Sequence, residues 1–172
     1  CDPVRHRGDR TMTSRLLLTC LVKLVQEAFV DYPFPAPQGG GMQPVQVFLH
    51  GLPERQQEGC YPFVIVRWIE GQVELEPDHK TMLHDTVGLA LGVYSPADQE
   101  QAGLLLAEML DCLRRQLWKT RLLAERFELE GELKASIPTP KQRWHQYHLA
   151  TLECVWNYTW PPRGLDEVET IG

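Results

Sequence analysis

A chain of 172 residues, 43% hydrophobic and 23% charged, has the composition of one globular domain with a proper core and is short for two. Its formal net charge of -6 argues against a surface that binds nucleic-acid phosphates throughout. The five cysteines, Cys1, Cys20, Cys60, Cys112 and Cys154, are odd in number, widely spaced and lack a C-x-x-C pair, which excludes a disulfide framework or a standard zinc pattern. Cys20, Cys112 and Cys154 lie in apolar runs and read as small core residues. A reducing cytoplasm is the natural compartment for such usage. No apolar run approaches the ~20 residues of a membrane-spanning helix, and the charged start, Cys1 to Arg10, is not a secretory signal.

Residues 1–12, with Arg5, Arg7 and Arg10, are expected to form a flexible leader. A first helix follows, with Thr13 or Ser14 as its cap and Leu17, Leu21, Leu24, Val25 and Ala28 at helical spacing. Asp31-Tyr32-Pro33 ends it. Pro33 to Pro44, with its Gly39-Gly40-Gly41 run, is expected to be a long irregular loop. The glycine run lacks the lysine and following helix of a phosphate-binding loop. Val45, Val47 and Leu49 mark a short strand. Phe63-Val64-Ile65-Val66, inside Pro62–Glu70, marks a strand buried on both faces and therefore central. Gly71-Gln72 is expected to turn the chain, with Val73 to Glu76 as the other arm of a hairpin.

Thr81 to Tyr94 is the next strand. Val87, Leu89, Leu91 and Val93 form one face, and Gly88, Ala90 and Gly92 form a small-residue face on which a helix is expected to pack. Ser95-Pro96-Ala97-Asp98 reads as a capping box, with Ser95 as cap and Asp98 closing it. It opens a helix whose stripe is Ala102, Leu105, Leu106, Met109, Leu110, Leu113 and Leu117. Asp98 and Glu100 at its start and Lys119 and Arg121 at its end suit the helix dipole. Two alternating strands close the chain. In the first, Phe127, Leu129 and Leu133 face inward, and Glu128, Glu130 and Glu132 face outward. In the second, Ala150, Leu152, Cys154, Trp156 and Tyr158 face inward. A basic, proline-rich loop lies between them, and the stretch 163–172 is an acidic tail expected to be flexible. The order predicts a single α+β domain over residues 13–162: a mainly antiparallel β-sheet packed by two principal α-helices.

Little in the chain resembles catalytic machinery. There is no nucleophile elbow, Rossmann fingerprint or H-E-x-x-H. His79 and His84, near Asp78 and Asp85, are the one candidate metal cluster, and their spacing matches no standard site. Glu128, Glu130 and Glu132 stand ~7 Å apart on an unbroken pleat. They read as a solvated face, or as a surface that repels phosphate backbones. Lys141, Arg143, Trp144 and His145 combine cations with an aromatic ring, a protein-contact signature on an acidic chain.

Several strings, in this order, carry a resemblance. They are His84-Asp85-Thr86-Val87-Gly88-Leu89-Ala90-Leu91-Gly92-Val93-Tyr94 running to Asp98, the helix ending in Leu117-Trp118, Phe127 to Leu133, and Leu152-Glu153-Cys154-Val155-Trp156-Asn157-Tyr158 before Pro161. The chain from about residue 13 to 162 resembles the tail-terminator, or tail-completion, proteins of long-tailed bacteriophages and prophages. The resemblance implies a sheet flanked by helices and a homo-hexameric ring. That ring caps the tail-tube protein, ends its polymerisation and offers a joining surface to the head-tail connector protein. It also implies no enzyme activity, no cofactor, no membrane, and a place in the tail or neck of a virion assembled in the bacterial host cytoplasm. Phage DNA would pass through the lumen without specific binding. The family supplies no residue-level site. On physical grounds Glu128, Glu130 and Glu132, or Glu70, Glu74 and Glu76, are candidates for the lumen. Lys141, Arg143, Trp144 and His145, and the 33–44 loop, are candidates for protein contacts. The alternatives are a head-tail connector, stopper or minor tail protein of the same fold, and a small metal-dependent hydrolase using the His79, His84 and Asp85 region.

Overall fold

Alternation in the strand from Thr81 to Tyr94 sets the plan of the molecule. In the computed structural model, which describes residues 13–37, 39–54, 57–78, 80–96, 99–137 and 147–159, Val87, Leu89, Leu91 and Val93 are all fully buried. The described elements run α1 (Thr13–Ala28), β1 (Phe34–Pro35), β2 (Met42–Gln43), β3 (Gln46–Leu49), a 3-10 turn (Gln57–Cys60), β4 (Phe63–Leu75), β5 (Thr81–Tyr94), α2 (Gln99–Lys119), β6 (Leu122–Leu123), β7 (Phe127–Ser136) and β8 (Tyr147–Thr159). Six strands form one sheet in the order β3-β4-β5-β8-β7-β6. All neighbours are antiparallel except β3 and β4, which run parallel. Residues 50–62 connect those two, enough chain for the crossover of about a dozen residues that a parallel pair requires. The fold is α+β, as the element order predicts.

Both helices pack on the same sheet face. The expected stripe of α1 (Leu17, Leu21, Leu24, Val25, Ala28) and that of α2 (Ala102, Leu105, Leu106, Met109, Leu110, Leu113, Leu117) are buried throughout. They meet Val64 and Val66 of β4, the valine-leucine face of β5, Phe127 and Leu129 of β7, and the inner face of β8. Trp156 is the largest fully enclosed side chain, and the Phe127 ring meets Tyr158 edge-on at 5.0 Å. Each large apolar side chain so buried contributes about 1.5–3 kcal/mol.

Four local expectations are corrected. The small-residue face of β5 receives no helix among the described residues. Its cover comes from the neighbouring strand: a Cβ on Gly88 would sit 2.7 Å from Cδ1 of Ile69, and one on Gly92 would strike the Phe63 ring. Gly71-Gln72 is not a turn. β4 runs on through it to Leu75, with a bulge between Trp68 and Glu70, and β5 pairs with its whole length. Gly71 is instead a site of close approach, because a Cβ there would lie 2.8 Å from Asp85 Oδ1 and 3.0 Å from the Trp68 ring. Among the described residues Ser95 does not cap α2: the helix begins at Gln99, and the buried Ser95 Oγ has no hydrogen-bond partner there. Ala97 and Asp98 lie outside the described residues. The 33–44 loop contains a small hairpin, β1 with β2, where Gly39 and Gly41 adopt φ of 71° and 64°. Phe34 anchors it by packing edge-on against Phe29.

The glycine face gives a direct test. Gly92→Ala is expected to destabilise the fold by about 1–3 kcal/mol through overpacking against Phe63. Adding Phe63→Leu is expected to recover part of that loss. Urea unfolding of the single and double variants measures both.

Candidate protein-contact surfaces

Beyond the helices the sheet changes character. Every residue of β4 from Arg67 to Leu75 is exposed, so this half of β4, beyond its pairing with β3, is a free-edged arm alongside β5, whose own start is half-buried and paired with β8. Its two faces differ. On the helix side, in register with Val87, Leu83 and Thr81, stand Trp68, Val73 and Leu75, exposed by 42%, 63% and 68%. On the other side stand Glu70, Gln72 and Glu74, opposite Thr86, His84 and Met82. At the tip Lys80 turns back on Asp78. Its backbone N–H, first, and its ammonium, 3.3 Å away, hold that carboxyl below the usual carboxylate range.

A buried polar knot fixes the root of the arm. Asp85 is 3% exposed, and its Oδ2 accepts hydrogen bonds from Tyr158 Oη at 2.8 Å and Ser14 Oγ at 2.9 Å. Ser14, read from the sequence as a helix cap, thus ties the first turn of α1 to β5. A buried carboxylate needs such donors. Glycine at position 71 leaves room for it. On the opposite face His84 lies between Asn157 Oδ1, at 2.5 Å, and Glu74 Oε2, at 3.2 Å.

Among the described residues the candidate metal cluster does not come together. His84 and Asp85 are consecutive on β5 and point to opposite faces of the sheet, and Asp78 engages Lys80. Among the described residues no three histidine, cysteine, aspartate or glutamate side chains are grouped to hold a metal ion. His79 lies outside the described residues.

Glu128, Glu130 and Glu132 are all exposed. They do not form an evenly spaced row. Glu128 stands opposite Asn157, but the register with β8 breaks between Leu129 and Leu133. Glu130 and Glu132 fall in that irregular stretch, so the regular pleat spacing does not apply to them. Glu70, Glu74 and Glu76 lie on the arm or at its tip. Lys141, Arg143, Trp144 and His145 lie outside the described residues.

A second surface, at the far edge of the sheet, escaped the sequence reading. At the end of α2, Trp118 is 51% exposed, with the Arg121 guanidinium 4.3 Å above its ring. Leu122 of β6 is 57% exposed beside it. Arg114, Arg115, Lys119 and Arg126 are also exposed along this corner, with Asp111 paired to Arg115 at 3.5 Å and Glu125 in the adjoining turn. That turn, closed by Arg126 N–H to Leu123 C=O, holds Ala124 and Glu125 at φ of 52° and 56°. Such geometry suits Asn-Gly and costs other residues about 1–2 kcal/mol each. The cation-aromatic signal noticed at Arg143-Trp144 is present here too, in Trp118-Lys119 and Arg121. The sequence reading assigned those cations to the helix dipole instead.

Among the described residues no helix is long and apolar enough to cross a membrane. No model of a known protein family matches the chain, and no curated protein matches it.

Two buried groups near the arm root titrate late. Burial pushes the Tyr158 hydroxyl from 10.0 up to about 12 and the Cys154 thiol from 9.0 up to about 12. The unfolded chain releases these protons at the lower values while the fold retains them. Their stabilising contribution is therefore complete below pH 9 and is lost as pH rises through about 12. The urea midpoint is expected to fall over that range. Tyr158→Phe should flatten the part of the fall above pH 10 while lowering stability at neutral pH by about 1–3 kcal/mol, because Asp85 loses a donor.

Proposed function

We propose that this protein is a structural component of phage or prophage tail assembly. In this reading it forms a ring, hexameric by the family resemblance, that caps the tail tube, ends its polymerisation and presents a joining surface to the head. One observation carries the reading: the arm, with its exposed Trp68, Val73 and Leu75, forms a free edge of a sheet that is helix-packed on one face. Exposed apolar side chains grouped on a projecting element suit protein contact. The strings that carry the resemblance also support it, since they fall on β5, α2, β7 and β8, which together build the core. The exposed Glu70, Glu74, Glu76, Glu128, Glu130 and Glu132 suit surfaces that DNA must pass without sticking.

The test is tail-tube polymerisation. Added to the tube protein of the same phage, the chain is expected to stop growth at a defined length and to appear in electron micrographs as a ring at one end. Tubes that lengthen unchecked overturn the terminator role. A ring that binds the head connector but not the tube would identify a connector instead.

A further inference from the structure

β4 loses its outer neighbour halfway along. β3 pairs with it from Phe63 to Val66, and His50 N–H to Val66 C=O is the last bond between them. β4 runs on to Leu75 with β5 on one side and, among the described residues, no strand on the other. A bulge lies between Trp68 and Glu70, and from Glu70 to Leu75 the pairing with β5 is regular. Along this stretch every second residue turns its N–H and C=O away from β5. A row of such donors and acceptors is a template for a further extended chain.

The side chains specify what that chain must carry. Val73 and Leu75 stand on the helix side, exposed by 63% and 68%. Glu70, Gln72 and Glu74 stand on the other side. Glu70 is exposed. Glu74 lends Oε2 to His84 at 3.2 Å, and its side chain remains 70% exposed. Residues opposite one another in a ladder share a face. Apolar residues of an added strand therefore meet Val73 and Leu75, and the residues alternating with them meet Glu70 and Glu74, where a cation is favoured. We infer that Glu70–Leu75 accepts an extended segment of another protein in which apolar and basic residues alternate. A second copy of this chain fits poorly. β4 laid on itself brings the carboxylates of both copies onto one edge, and the unpaired part of β7, past β6, carries Glu130 and Glu132 against Lys134. Like charges across a ladder destabilise it. The acceptor edge does not depend on the ring proposed above.

The test combines the whole chain with an acetylated, amidated octapeptide of alternating valine and lysine, and reads amide hydrogen exchange by NMR. The outward amides of Glu70–Leu75 are expected to slow about 10-fold or more at saturating peptide. The same peptide, N-methylated at alternate residues along the pairing edge, keeps its charge and is expected not to bind, because it cannot complete the ladder. Glu70→Lys/Glu74→Lys, with folding checked by circular dichroism, is expected to bind the lysine peptide about 10-fold more weakly and to prefer a valine-glutamate octapeptide. The inference is overturned by protection that falls elsewhere on the molecule, by an N-methylated peptide that binds as tightly as its parent, or by a folded charge variant that binds the lysine peptide like wild type. It is also overturned if these amides are already protected without peptide. Protection that grows with protein concentration would assign the edge to a second copy. Protection that is lost on removing residues 1–12 would assign it to the chain itself. Tube growth tests the terminator role separately: a chain that takes the peptide but leaves tubes unchecked loses that role and keeps the acceptor edge.

Discussion

The burial of a single sheet face beneath two helices is the constraint on which the rest of this structure depends. The inward side chains of β5 and β8 meet the leucine-rich stripes of α1 and α2, and Trp156 fills the space between. Such packing supplies the dominant favourable term in folding. It also leaves the second face to be managed within the sheet. Phe63 lies over Gly92 and Ile69 over Gly88, so large side chains of β4 fill hollows made by missing side chains of β5. A sheet solved in this way keeps a thin outer face, closed at one end by the ring contacts of Tyr61, Phe63, Tyr94 and Tyr147.

The length of β4 is what creates the arm. Near its root Asp85 is held between Tyr158 and Ser14. Past this knot β4 runs on as the exposed outer strand of β5, which stays paired with β8 as far as Met82 and Thr159. This half of β4 is held by the bulge at Trp68 and by the close fit of Gly71 against Asp85. At the far edge a second uncommon choice is made, the Ala124-Glu125 turn in a left-handed conformation beside Trp118 and Arg121. Strain of this kind persists where the surroundings hold it, and it clusters at working surfaces.

Ionisable groups on the described surface are paired locally, as with Lys80 and Asp78, or spread over exposed strands and helix ends. The histidine and aspartate that looked like a metal pair are separated by the pleat itself, since neighbours on a strand face opposite ways. Exposed apolar side chains stand out at two places, on β4 at Trp68, Val73 and Leu75 and at the corner of Trp118 and Leu122.

The sequence by itself determined the element types and the inward side of each. Period-two alternation placed Val87 to Val93 and Ala150 to Tyr158 on the buried face, and helical spacing placed the stripes of α1 and α2 there as well. These patterns are local: burying one side of a strand or helix leaves its own repeat in the chain. What the tertiary structure decided is how residues distant in sequence share space. Gly71 read as a turn because glycine is the usual turn residue. Its actual reason, room for Asp85 and Trp68, exists only once β4 and β5 are paired. Ser14 read as a cap until the fold offered it a buried carboxylate. The glycine face of β5 announced a close neighbour, but not that a Phe63 ring from the adjacent strand would supply it. The acidic row of Glu128, Glu130 and Glu132 was regular in sequence and lost its regularity to a bulge whose placement depends on β8. The exposure of Trp68, Val73 and Leu75 could not be read along the chain, because β4 loses its outer neighbour β3 after Val66 only once the sheet is assembled.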